Sequence, residues 1–138
     1  MTGTGRVLVL LLLASCAPMA RLPSDGDPSP LVMAAAPDST YGYTQSNPIK
    51  VGGVRSERGP QNERAYLAAL RGPNGEQLTY QRMGSCCTFK TQNGVIANLG
   101  ALDIYEIKYA GLAEPLVLYI NMYDYEPPMV PRGLTRVQ

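Results

Sequence analysis

The sequence predicts an α+β domain, one helix packed on a small antiparallel sheet of about four strands. Three observations lead there. A single run with helical character, residues 63–71, ends at the stop signal Gly72-Pro73. Later runs alternate apolar and polar residues with period two, the mark of half-buried strands. The last two are joined by only a few residues, which favours antiparallel pairing.

The domain is expected to span residues 41–127. It opens on Tyr41-Gly42-Tyr43-Thr44, after which Ile49 and Val51 alternate with Lys50 in a short strand that Pro48 restricts to a beginning or an edge. Gly52-Gly53 releases the chain into a charged loop, and Pro60-Gln61-Asn62 leads to the helix. Glu63 near its start and Arg71 near its end complement the helix dipole, while Tyr66, Leu67, Ala69 and Leu70 gather on one side. Asn74-Gly75 is a turn, and residues 77–83 form a strand with Leu78 and Tyr80 on one face. Residues 88–100 are polar and contain glycine, as expected of a loop or a poorly ordered hairpin. Tyr105, Ile107 and Tyr109 then alternate with Glu106 and Lys108 in a third strand. In the fourth, Leu116, Leu118, Ile120 and Met122 face one way and Val117, Tyr119 and Tyr123 the other, as in a central strand. Pro127, Pro128 and Pro131 end the domain, and residues 128–138 are expected to be a flexible tail.

Ahead of the domain lies a targeting segment. Arg6 precedes an apolar run from Val7 to Ala14, in the range of a secretory signal and too short to span a bilayer. Leu13-Ala14-Ser15-Cys16 looks like a lipobox, so residues 1–15 read as a lipoprotein signal peptide and Cys16 as the lipidated first residue of the mature chain. Thioether and amide-linked acyl chains, palmitate among them, contribute about 0.8 kcal/mol per buried methylene, enough together for a stable anchor. Ala17 stands where an aspartate would favour inner-membrane retention, which points to the periplasmic leaflet of the outer membrane in a Gram-negative envelope. Residues 16–40 are rich in Pro, Ser and Ala and read as a disordered tether.

Composition excludes more than it specifies. Without Arg6 the Lys and Arg balance the 11 Asp and Glu, which argues against a nucleic-acid partner. The chain has no histidine, so serine–histidine and cysteine–histidine catalysis and histidine-bound zinc are ruled out. No cofactor is implied. An enzyme is less expected than a binding module.

Gly84-Ser85-Cys86-Cys87 is the local feature most able to carry chemistry. With Cys16 consumed by lipid, its two thiols sit in an oxidising compartment without a distant partner. They can bond to each other, remain buried and free, or bond to something else. Adjacent α-carbons are about 3.8 Å apart, below the roughly 4.4–6.8 Å usual for disulfides, so a Cys86–Cys87 bond implies a tight ring with a distorted or cis peptide. Thioredoxin-like chemistry wants two intervening residues, which are absent. With Met83, Met122 or Met129 the cysteines would make a soft set suited to monovalent copper, though no second cysteine pair supports a metal site.

The chain has 9 Tyr, 1 Phe and no Trp. Tyr119, Tyr123 and Tyr125, with Tyr41 and Tyr43, are candidates for a peptide or glycan platform, against the alternative of ordinary half-buried sheet positions. Asp103, Glu106, Asp124 and Glu126 read as solvated charges by default. A carboxylate-based wall hydrolase would need Glu106, Asp124 or Glu126 in a cleft.

Taken together, Tyr41-Gly42-Tyr43-Thr44, Asn47-Pro48-Ile49-Lys50-Val51-Gly52-Gly53, Arg71-Gly72-Pro73-Asn74-Gly75, Gly84-Ser85-Cys86-Cys87 and Leu118-Tyr119-Ile120-Asn121-Met122-Tyr123-Asp124-Tyr125 resemble a family of small bacterial exported proteins and lipoproteins. Some of its members carry the label 2-dehydro-3-deoxyphosphooctonate aldolase. The resemblance covers most of the domain and brings no catalytic residue with it, and a barrel enzyme of that kind needs more chain than is present here. The expectation is a lipid-anchored envelope protein that binds or scaffolds a periplasmic protein or glycan. The alternative is thiol redox or copper handling through Cys86 and Cys87.

Overall fold

Pro60, one residue into the first turn of the helix, costs no hydrogen bond there, and helix α1 accordingly runs Gly59–Ala69 in the computed structural model, which describes residues 33–137. The helix starts four residues earlier than the sequence implied and stops where Leu70 turns extended. Glu63 is therefore mid-helix and fully buried, and Arg71 lies beyond the end. The expected dipole pairing is not realised: no acidic residue stands in the first turn and no basic one in the last.

The strands are β1 (Ile49–Lys50), β2 (Leu70–Arg71), β3 (Thr79–Lys90), β4 (Leu99–Lys108), β5 (Leu116–Asn121) and β6 (Thr135–Arg136). Four of them form one sheet in the order β1-β5-β4-β3, and β2 pairs with β6 separately. One helix and a four-stranded sheet agree with the expected α+β class. The sheet is mixed, however, because β1 runs parallel to β5 while β3–β4 and β4–β5 are antiparallel. The helix and the hairpin lie between β1 and β5 in the chain, giving ample length for the crossover a parallel pair requires.

Pairing fixes two faces. Leu118 and Ile120 of β5 stand opposite Tyr105 and Asp103 of β4, and all four are buried. The alternate set, Val117 and Tyr119 opposite Glu106 and Ile104, is exposed or half-buried. The buried apolar side chains form one cluster that includes Ile49, Tyr66, Leu67, Leu70, Ile107, Leu118 and Ile120.

Three segments differ from expectation. Residues 33–40, assigned to the tether, enter the core: Met33 and Ala36 are buried, and the Ala36 N–H donates to the Val130 carbonyl at 2.8 Å. The tail is likewise held, since Val130, Pro131 and Leu134 are buried, β6 pairs with β2, and Thr135 Oγ1 donates to the Gly72 carbonyl at 2.6 Å. Both stretches carry proline, Pro37 in the first and Pro128 and Pro131 in the second, and their order comes from pairing with each other and with the helix exit, contacts that local composition does not reveal. The polar stretch 88–100 is the third: of the loop or poorly ordered hairpin expected there, it completes a β3–β4 hairpin with paired strands as far as Lys90 and Leu99. Register shifts near Gly84 and Cys87 interrupt the alternation there, and a bulge erases the period by which a strand is read.

Candidate functional site

The second bulge of β3 lies at the paired cysteines. Cys86 stands opposite Leu102, the register then slips, and Phe89 stands opposite Gly100. Within the slip Cys87 adopts a φ of 59°, and a disulfide joins Cys86 to Cys87. Of the three options the sequence left open, this is the first. The described residues contain no cis peptide, so the ring is accommodated by the bulge and the left-handed Cys87 instead. Both cysteines are half-buried.

Cys87 borders an open groove of about 630 Å³ on the less buried face of the sheet. Thr88, Phe89 and Leu102 continue its wall from the hairpin, and Lys50, Asn121 and Asp124 close the opposite side. Asp124 accepts hydrogen bonds from Thr91 Oγ1 at 2.5 Å, Asn93 Nδ2 at 3.0 Å and Asn121 Nδ2 at 3.0 Å. Burial alone would raise its pKa, but these three donors and the Lys50 charge hold it below the usual carboxylate value. Asn121 Oδ1 in turn accepts from the backbone N–H groups of Tyr123 and Asp124, which sets the turn after β5. Lys50 pairs with Glu126 at 2.5 Å at the exposed rim.

The carboxylates named as candidates for hydrolysis are each engaged by neighbours. Asp124 is ionised and saturated with donors, Glu126 is paired with Lys50, and Glu106 is paired with Lys108 at 2.7 Å.

A second cluster, not foreseen from the sequence, sits on the buried face. Arg82 on β3 grips Asp103 on β4 with two bonds of 2.8 Å, from Nε to Oδ2 and from Nη2 to Oδ1. Ser85 Oγ adds a third donor to Asp103 at 2.7 Å. Burial would raise Asp103, yet these partners keep its pKa lowered. Two residues along the same strand, Tyr105 donates its hydroxyl to Glu63 Oε2 at 2.9 Å. Burial, followed by the negative charge of Asp103, pushes Glu63 up to about 8. With both carboxyls ionised, Glu63 Oε1 is buried without a partner. A proton on Glu63 removes that defect, because the acid then donates to Asp103. Neutral Glu63 and ionised Asp103 are the assignment that satisfies every oxygen. The only sequence signal was a glutamate on the apolar side of a helix, beside Tyr66 and Leu67.

The tyrosines divide by role. Tyr41, Tyr43 and Tyr66 secure the C-terminal segment: Tyr66 donates to the Met129 carbonyl at 2.8 Å, Tyr43 donates to that of Arg132 at 2.7 Å, and Tyr41 accepts from the Met129 N–H at 3.0 Å. Tyr41 and Tyr43 therefore belong to the scaffold. Tyr119 shares the open face with Ile104, Tyr123 meets Phe89 edge-on at 5.9 Å, and Tyr125 is exposed. Met122 packs over Gly59, Met129 packs against the core, and Met83 is exposed on β3. Cys16 lies outside the described residues, as does the expected signal peptide. Among the described residues no helix is long and apolar enough to cross a membrane, and no group of three Cys, Asp or Glu could hold a metal ion. No family model, curated protein or solved structure matches this chain.

Proposed function

We propose that this chain is a lipid-anchored envelope protein, held at the membrane through Cys16, whose domain binds a periplasmic protein or glycan in the groove beside the Cys86–Cys87 ring. The observation that carries the reading is the position of that ring: half-buried at a bulge, on the wall of an open groove, where a structural cross-link would close almost no chain. Phe89 offers apolar contact, and Lys50 and Gln45 offer polar contact, the mixture expected of a binding site. Helix α1 is read as laid over the opposite face of the sheet, supported by the Tyr105–Glu63 hydrogen bond and by the cluster that Tyr66 and Leu67 share with Leu118 and Ile120. In a Gram-negative envelope the domain would face the periplasm from the outer membrane.

Thiol redox chemistry is the second reading, favoured by the same exposure of the ring. Copper handling would require the ring to be opened first. The test has two arms. Metabolic labelling with palmitate, compared with a Cys16→Ser variant, reports the anchor. Cosedimentation with purified cell-wall sacculi and crosslinking in whole envelopes report the partner, using Thr88→Glu, an exposed position on the groove wall, as the groove variant. Capture that Thr88→Glu does not weaken would reject the groove. Alkylation before and after graded reduction separates the redox reading, which needs a ring that common dithiols open readily.

A further inference from the structure

The tip of the β3–β4 hairpin is an apolar point held out by polar anchors. Val95 and Ile96 are 70% and 78% exposed, and Leu99 behind them is 45% exposed. They do not fold back because the root of the tip is pinned. Thr91 and Asn93 both donate to Asp124, the Thr91 N–H donates to the Asn98 carbonyl at 2.9 Å, and Arg55 donates to the Gln92 carbonyl. Three large apolar side chains held rigidly toward water are an interaction surface.

Its charge indicates the partner. From Thr88 to Leu102 the chain has no acidic residue, while it carries Lys90, and Arg55 stands against the tip; the one carboxylate at its root, Asp124, is taken up by Thr91 and Asn93. An apolar point flanked by cations matches the boundary between the headgroups and acyl chains of an anionic bilayer. Tyr123, in the crease beside Val95, Ile96 and Leu99, adds an aromatic ring with a polar end. The bilayer is also within reach, since the stretch from Cys16 to Met33 spans at most about 60 Å when fully extended.

We propose that Val95, Ile96 and Leu99 insert into the surface of the same bilayer that holds the Cys16 lipid, giving the domain a second contact and a fixed orientation. This rests on the lipid anchor proposed above. Because the chain contains no tryptophan, Ile96→Trp provides a single reporter at an exposed position, and Gln45→Trp at the groove provides the control. Each full-length lipidated protein is reconstituted into vesicles of phosphatidylethanolamine and phosphatidylglycerol. The Ile96→Trp emission is expected to shift to the blue, to be quenched by lipids brominated on their acyl chains, and to be severalfold less sensitive to acrylamide than Gln45→Trp. Adding Val95→Glu to the reporter should abolish all three effects, with an unchanged circular dichroism spectrum showing that the fold persists. A reporter as open to acrylamide as the control overturns the proposal. So does protection without bromolipid quenching that grows with the protein-to-lipid ratio, which would mean that a second copy covers the tip. Intact mass reads the anchor separately: an unacylated Cys16 overturns both readings, whereas an acylated chain with an exposed reporter overturns this one alone.

Discussion

Replacing Glu63 with glutamine should remove most of the pH dependence of stability between pH 5 and 9. In the folded protein Glu63 titrates near 8, compared with an ordinary value of 4.5. The folded state thus binds the proton more tightly, and its contribution is complete below about pH 4.5 and lost as pH rises through 8. Within that window each pH unit removes up to about 1.4 kcal/mol, on the order of 5 kcal/mol in all, comparable to the whole stability of a small domain. The chain has no histidine and Cys86 and Cys87 are joined, so among the described residues no other side chain of ordinary pKa titrates across the window. Glu63→Gln can accept from Tyr105 through its carbonyl and donate to Asp103 through its amide without titrating. Urea denaturation at pH 5, 6, 7, 8 and 9 should give a falling midpoint for the natural protein that levels off above 8, and a nearly flat one for the variant. Parallel slopes would refute the neutral-acid assignment. Asp103 has the opposite sign: its lowered pKa contributes stability above about pH 3.8 that is lost on further acidification, which places maximum stability near pH 4–5.

Arg82→Ala leaves the buried Asp103 with Ser85 and the neutral Glu63 as its remaining side-chain donors, and should cost about 1–3 kcal/mol in urea melts, limited because Arg82 is itself half exposed. Reducing the Cys86–Cys87 ring should shift the thermal midpoint very little, since so small a loop constrains the unfolded chain hardly at all, and mass spectrometry should find two alkylated thiols only after reduction. A large loss of stability on reduction would make the ring a structural clamp. Leu134→Ala, at a position the sequence assigned to a flexible tail, should cost about 2–4 kcal/mol; an effect near zero would contradict the burial found there.

Local chemistry alone was enough for some of this. The apolar alternation at Leu116, Leu118 and Ile120 is a property of neighbouring side chains, and it placed β5 in the sheet interior and these three residues on one face. The Cys86–Cys87 bond was among the options because adjacency itself restricts what two thiols can do. The rest depended on partners far away in the chain. Whether β1 lies parallel to β5, whether Met33 and Leu134 are buried, and whether Glu63 holds a proton are decided by segments tens of residues distant. Glu63 shows why: its helical position is set by a few neighbours, but its ionisation depends on the low dielectric of the core and on Asp103, brought beside it only when β4 takes its place in the fold.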